Sequence, residues 1–170
     1  MATYVALLRA VNVGGTGKLP MAELVAMCES AGFSKVRTYI ASGNAVFSCR
    51  LAERRVKSIL EARLADYAGK PVGVLVRTAA EMATVLAANP FPASPGNRTL
   101  AIFLDEPPPR GWQAAVRGRA GEQLAPGVRE IYVAYGAGMA ASRLVIPAAR
   151  AGTARNLNTV ARLAAMAADT

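Results

Sequence analysis

The amino-acid sequence predicts an α+β fold: a ferredoxin-like split β-α-β-β-α-β first half packed with a second, related but incomplete α+β half. Three observations predict it. An apolar strand runs straight into a glycine loop and then a helical stripe. A hairpin signature follows, with Ser42-Gly43-Asn44 at its turn. A longer helical stripe then leads into another apolar strand.

Residues 3–10 have the continuous apolar character of a strand buried on both faces. After the loop Asn12-Val13-Gly14-Gly15-Thr16-Gly17-Lys18, Pro20 stands where a helix places its first residue. Met21, Leu24, Val25 and Cys28 then recur at helical spacing up to Gly32. Residues 35–40 alternate as a strand, and 45–48 return from the turn. Val56, Ile59, Leu60, Leu64 and Tyr67 form one helical stripe, stopped by Gly69 and Pro71, and residues 72–77 form the next strand. The first half therefore occupies residues 1–78. Thr78 and Glu81 have capping-box spacing, and the short helix they begin ends at Asn89-Pro90. A loop rich in Pro, Ser, Gly and Asn closes this connecting segment, residues 79–98. In the second half, 99–170, strands are expected at 99–104 and 130–135. Helices are expected around 112–119 and 156–168, the latter with Leu157, Val160, Ala164 and Ala167 on one face. Residues 140–150 fit neither pattern, and Pro147 argues against a long regular element there.

The 170 residues suit one domain, or two small halves on a shared core, and 53% of them are hydrophobic, so a core forms without disulfides or metals. No apolar run approaches the roughly 18 residues that span a bilayer, and Arg9 interrupts the apolar start as no signal peptide would. The expectation is a cytoplasmic protein without a membrane partner. Cys28 and Cys49 are expected to be reduced packing residues. The formal charge of +9 favours phosphorylated ligands or nucleic acid, but a composition rich in Ala and Arg also follows from a GC-rich genome.

Several chemistries are excluded. The chain has no histidine, which removes Ser-His-Asp and Cys-His catalysis and the imidazole metal ligands. Two isolated cysteines make no zinc site, so no metal and no cofactor is expected. Asp105 and Glu106 are adjacent and would point to opposite faces of a strand, a poor acid/base pair. The glycine loop imitates a Walker phosphate loop without completing it. Asn12 replaces the required first glycine, and Leu19 stands where the magnesium-holding hydroxyl belongs. What survives is weaker: flexible glycines, a following helix with a positive end, and the charges of Arg9 and Lys18. A plain strand-to-helix connection explains the same glycines.

Other polar motifs stand out. Arg37-Thr38-Tyr39 and Ser42-Gly43-Asn44 place hydroxyls and an amide at the hairpin; Asn89-Pro90-Phe91 ends a helix; and residues 153–159, Thr-Ala-Arg-Asn-Leu-Asn-Thr, open the last helix with five hydrogen-bonding side chains. Taken singly, each is explained as a turn, a helix stop or a helix cap. Together with Tyr4-Val5-Ala6-Leu7-Leu8-Arg9-Ala10-Val11-Asn12-Val13-Gly14-Gly15, they resemble in order the hallmarks of the bacterial family called domain of unknown function 1697. The resemblance runs from residue 4 to about 165, with a shorter, more alanine-rich stretch at 136–152. It implies a small cytoplasmic α+β protein with no established activity, cofactor or catalytic residues.

The functional expectation is a binding module for an anionic ligand: a nucleotide, a nucleic acid or a phosphorylated small molecule. Its candidate residues are Arg9, Asn12, Gly14, Gly15, Lys18, Ser42, Gly43, Asn44, Arg155 and Asn156. The two arginines suit bidentate contacts to phosphate, and the amides and hydroxyl suit orienting it. Two alternatives stay open. One is an enzyme acting on a phosphorylated or carboxylated small molecule through Tyr39, Lys18 or a backbone oxyanion site. The other is a structural or protein-interaction protein whose polar motifs are internal hydrogen-bond networks.

Overall fold

The computed structural model describes residues 1–10 and 18–170 of the chain. The glycine loop of the sequence analysis, with Asn12, Gly14 and Gly15, therefore lies outside the described residues. The fold is mixed α+β, with two four-stranded antiparallel sheets and four α-helices among the described residues. The chain divides into two compact units. Met1–Ala83 and Arg162–Thr170 form one, and Thr84–Ala161 forms the other.

The first unit contains β1 (Ala2–Leu8), α1 (Met21–Ser30), β2 (Ser34–Thr38), β3 (Asn44–Cys49), α2 (Glu53–Ala68) and β4 (Val74–Thr78). Its sheet runs β2-β3-β1-β4, with every neighbouring pair antiparallel, so β3 is inserted between β1 and β2. Alternation along β1 builds the core. Tyr4, Ala6 and Leu8 share a face with Ala45, Phe47, Val74 and Val76, and pack with Leu24 and Cys28 of α1 and Val56, Leu60 and Leu64 of α2. Phe33 stacks on Phe47, centroids 4.5 Å apart. The opposite face carries Val5, Leu7, Val46 and Leu75, all fully buried, so β1 is covered on both sides as its unbroken apolar run requires.

Arg37 of β2 shares the face of its partner Val46. Its guanidinium donates to the carbonyl of Met166 at 2.5 Å and to the Thr170 hydroxyl, while Arg162 lies over the Tyr39 ring at 5.9 Å. These contacts explain why residues 162–170 belong with the first unit, although the expected second half ran from 99 to the end. Cys28 and Cys49 are buried and unpaired, and burial pushes the Cys28 thiol up to about 12. Pro20 caps α1 from just outside it instead of occupying its first turn. Tyr67, placed on the apolar stripe of α2 by spacing, is exposed at the helix end.

The helix α3 (Ala79–Ala87) opens with the expected capping box. Thr78 N–H donates to Glu81 Oε1 at 2.8 Å, and Glu81 N–H to Thr78 Oγ1 at 3.1 Å. At its end, Phe91 N–H donates to Asn89 Oδ1 at 2.9 Å, an Asx turn.

The second unit contains β5 (Thr99–Phe103), β6 (Gln123–Pro126), β7 (Glu130–Ala134) and β8 (Thr153–Asn156), in the order β6-β7-β5-β8. By rank in the chain this is second-third-first-fourth, the order of the first sheet. The likeness stops at the connections. Where the first unit has α1 between its first two strands, the second has only the 3-10 turn Trp112–Ala115, shorter than the helix expected at 112–119. Two more such turns, Met139–Ala141 and Pro147–Ala149, occupy the stretch that fits neither pattern. The core behind this sheet is Ile102, Leu104, Trp112, Ile131 and Val133, covered by Val116, Leu144 and Ile146. The closing helix α4 (Leu157–Ala168) begins one residue later than expected, because residues 153–156 are the strand β8 and not a cap alone.

Tyr132 on β7 is almost fully buried and donates its hydroxyl to the Val85 carbonyl at 2.6 Å. Desolvation, reinforced by Glu130, pushes its phenol up to about 12. The folded-state value lies above the ordinary 10.0, so the contribution is fully present below pH 10 and is lost as pH rises through about 12. Chemical denaturation between pH 9 and about 12 should show stability falling, and the fall should be smaller in Tyr132→Phe. That variant should also lose about 0.5–1.5 kcal/mol at neutral pH.

Candidate functional site

The end of β1 is where the sequence placed its first polar wall, and the sheet register determines what meets it. Leu7 pairs with Asn44, and Leu8 N–H donates to the Gly43 carbonyl at 2.9 Å. One residue on, Arg9 N–H donates to the Gly73 carbonyl on the other side, also at 2.9 Å. The backbone at Arg9 is thus held between the β2–β3 turn and the start of β4. The half-buried Arg9 side chain lies across Gly73, so close that a β-carbon there would stand 2.9 Å from Arg9 Cδ. Glycine at 73 makes room for the arginine stem, a contact no spacing rule in the sequence signals.

The hairpin turn is built by Asn44. Tyr39 N–H donates to the Asn44 carbonyl at 3.1 Å, and the Asn44 side-chain amide donates to the Tyr39 carbonyl at 2.9 Å and to Ser42 Oγ at 3.0 Å. Asn44 is fully buried. Gly43 takes φ of 89°, as glycine readily can. Ile40 takes φ of 51° with half its surface exposed, and Ala10 has the same φ just past β1. A β-branched residue in the left-handed region is strained, and such strain concentrates at functional sites.

Topology brings α1 to this edge. β1 and β2 both run antiparallel to β3, so they are parallel to each other, and α1 ends close to where β2 starts. The helix therefore begins at the edge where β1 ends. Its N-cap is Pro20, which makes no side-chain cap hydrogen bond among the described residues, and the first-turn N–H groups form the positive end of the helix dipole. Glu23 in the first turn takes up part of that positive end. Lys18, exposed, precedes the buried Leu19.

Of the candidate residues, the structure brings together Arg9, Ser42, Gly43 and Asn44 by backbone pairing, with Lys18 ahead of α1. Asn12, Gly14 and Gly15 are outside the described residues. Arg155 and Asn156 belong to the second unit, on β8, opposite Ala101 and Leu100. Arg155 is buried; its Nη1 donates to Thr153 Oγ1 at 2.8 Å and to the Ala154 carbonyl at 2.9 Å. Desolvation lowers its guanidinium to about 10, which leaves it charged at neutral pH. Asn156 accepts from Thr159 N–H at 2.9 Å and so caps α4. Tyr39, the phenol that an enzyme would use, lies under Arg162. The contributions of Gly73 and Arg162 carry no local motif. Long-range pairing alone reveals them.

Among the described residues, no group of His, Cys, Asp and Glu side chains could hold a metal ion, and no helix is long and apolar enough to cross a membrane. No buried side-chain nitrogen or oxygen among them lacks a partner. The edge therefore offers arginine and lysine charge, backbone N–H groups and one hydroxyl.

Two four-stranded antiparallel sheets of matching strand order, connected by helices in one unit and by short turns in the other, define the class. A family model described as "Protein of unknown function (DUF1697)" matches residues 1–132, so the chain belongs to that family. The match stops short of the motif at residues 153–160. The solved structure of the conserved bacterial protein SP0830 from Streptococcus pneumoniae is similar over 98% of this chain and 98% of its own, with a TM-score of 0.77 at 21% identity. At that identity the likeness speaks for the fold. No curated protein sequence matches the chain.

Asn44→Ala should remove both turn hydrogen bonds and leave buried partners unsatisfied, costing about 1–3 kcal/mol in urea unfolding. A loss below about 0.5 kcal/mol would show that the turn is held by the sheet alone.

Proposed function

We propose that the protein is a binding module for an anionic ligand, a nucleotide or another phosphorylated small molecule, held at the sheet edge where β1 ends. The observation that carries this reading is the position of Arg9. The bond from Leu8 N–H to the Gly43 carbonyl and that from Arg9 N–H to the Gly73 carbonyl set it between the Ser42–Asn44 turn and Gly73, at the same edge as the start of α1. A guanidinium whose stem is packed across Gly73 loses less freedom on pairing with a phosphate than a fully solvated one, and the pairing can be bidentate. Lys18 adds a second charge before the helix, and the N–H groups of its first turn add partial positive charge. Ser42 keeps a hydroxyl at the rim, while Asn44, occupied within the turn, shapes the site without donating its amide to the ligand.

The test is a thermal-shift screen of the full chain against nucleotides, sugar phosphates, inorganic phosphate and matched uncharged controls. A ligand bound only by the folded state at about 100 times its Kd should stabilise it by roughly 2.7 kcal/mol. The stabilisation should shrink in Arg9→Ala and in Lys18→Ala, and should weaken with added salt. If no phosphorylated compound stabilises the protein, or if the stabilised response ignores both substitutions, the reading is wrong.

A further inference from the structure

The second unit carries its own charge feature, on a surface that shares no residue with the edge at Arg9. Its carboxylates are Asp105, Glu106, Glu122 and Glu130. Two of these are withdrawn from the surface. Glu122 is buried; its Oε1 accepts from Ala120 N–H at 2.5 Å and its Oε2 from the Ser142 hydroxyl. The Ser142 and Ala120 bonds, helped by nearby Arg119, hold its carboxyl below the usual range, so it stays ionised and stays inside. Glu130 is buried as well, with Oε1 accepting from Arg129 N–H at 3.2 Å. Arg117, Arg119 and Arg143 stay exposed. The surface of this unit is therefore more positive than its composition suggests.

Packing gathers those three arginines. Residues 117 and 145 form an antiparallel bridge, Arg117 N–H to the Val145 carbonyl at 3.0 Å and the reverse at 2.8 Å. Val116 on one segment, and Leu144 and Ile146 on the other, pack against the core, so Arg117, Arg143 and Val145 face outward by alternation. Gly118, with φ of 70°, lets the two segments touch; a β-carbon there would stand 2.0 Å from the Arg143 carbonyl oxygen. Arg119 follows directly and is held by its Nε, which donates to the Glu122 carbonyl at 2.8 Å. Like charges on adjacent segments repel, a cost that a bound polyanion would reverse. The remaining two acids, Asp105 and Glu106, follow β5. Its last residue pairs with the first of β7, whereas residues 117–122 lead into the start of β6, opposite the end of β7. The start of β6 thus lies at the end of the sheet opposite the acids.

We propose that Arg117, Arg119 and Arg143 form a contact surface for the phosphate backbone of a nucleic acid, read without regard to base sequence. Phosphate suits guanidinium forks, and the patch has the polar, positive character of protein–nucleic acid interfaces. Val145 is the exposed apolar residue between the arginines, and no exposed aromatic side chain accompanies it. A protein partner would call for an aromatic or apolar centre, and base reading by stacking would call for aromatic rings.

The experiment is fluorescence anisotropy of the full chain with a labelled duplex of random sequence, titrated from about 50 to 200 mM salt. Binding should weaken with a slope near −0.9 per phosphate contacted. Arg117→Ala/Arg143→Ala should lower the magnitude of that slope by about 2, whereas Arg117→Lys/Arg143→Lys should keep most of it. Neither side chain makes a hydrogen bond within the described residues, and circular dichroism should confirm that both variants fold. Arg54→Ala/Arg55→Ala, which removes the same charge from the exposed face of α2, should leave the slope unchanged, which separates this surface from net charge alone. The proposal is overturned by absence of binding at low salt, by a slope that ignores the double variant, by an equal fall in slope in Arg54→Ala/Arg55→Ala, or by polyglutamate competing as well as unlabelled duplex.

Discussion

The constraint on which the first unit depends is the pairing of β1 on both of its edges. As the first strand in the chain and an inner one of the sheet, it receives β3 on one side along Ala2–Leu7 and β4 on the other along Tyr4–Leu8, so most of its backbone groups are paired on both edges. Because side chains alternate, a slip of one residue would exchange Tyr4, Ala6 and Leu8 with Val5 and Leu7. Both sets are apolar, so hydrophobicity alone specifies the register weakly. The ends specify it instead. Asn44 opposite Leu7 closes the turn, and Gly73 beside Arg9 admits an arginine stem. The residues that lock the register are those that form the candidate edge, so stability and site share one origin.

The second unit repeats the strand order with less material. Its crossover connections are 3-10 turns, which bury fewer side chains than α1 and α2 do in the first unit. Buried carboxylates supply part of the missing order. Glu122 ties residues 119–122 to Ser142, and Glu130 closes on Gly127 and Arg129 at the β6–β7 turn. A buried carboxyl group is tolerable only where hydrogen-bond partners meet it. These acids therefore work as loop staples, and the arginines around them remain on the surface.

Legibility followed locality. Elements with long periodic stripes were readable: β1, α1, β3, α2, β4 and the buried face of α4. The capping box at Thr78 and Glu81 and the Asx turn at Asn89 were readable because every partner lies within three residues. The strands β6 and β8 were not. Both are four-residue edge strands; one ends in Pro126 and the other is polar, so neither shows an alternating apolar pattern. The polar run at Thr153 was read as a helix opening, and Asn156 does cap α4, but pairing with β5 turns the same residues into a strand. At the candidate edge, Arg9 and the Ser42–Asn44 turn were visible as motifs, whereas Gly73 and Arg162 had no local signal because their partners are far away in the chain.

By itself the sequence determined the α+β class, the order of elements in the first half, the absence of histidine chemistry and the concentration of positive charge, since composition and short-range periodicity are properties of the chain. Tertiary structure decided which polar motifs meet. It joined the end of β1 to the hairpin turn and to Gly73, gave residues 162–170 to the first unit, and assembled a second arginine surface from segments more than twenty residues apart. The physical reason is register. Strand pairing converts remote positions into neighbours, and no local propensity encodes which partner a backbone N–H will find.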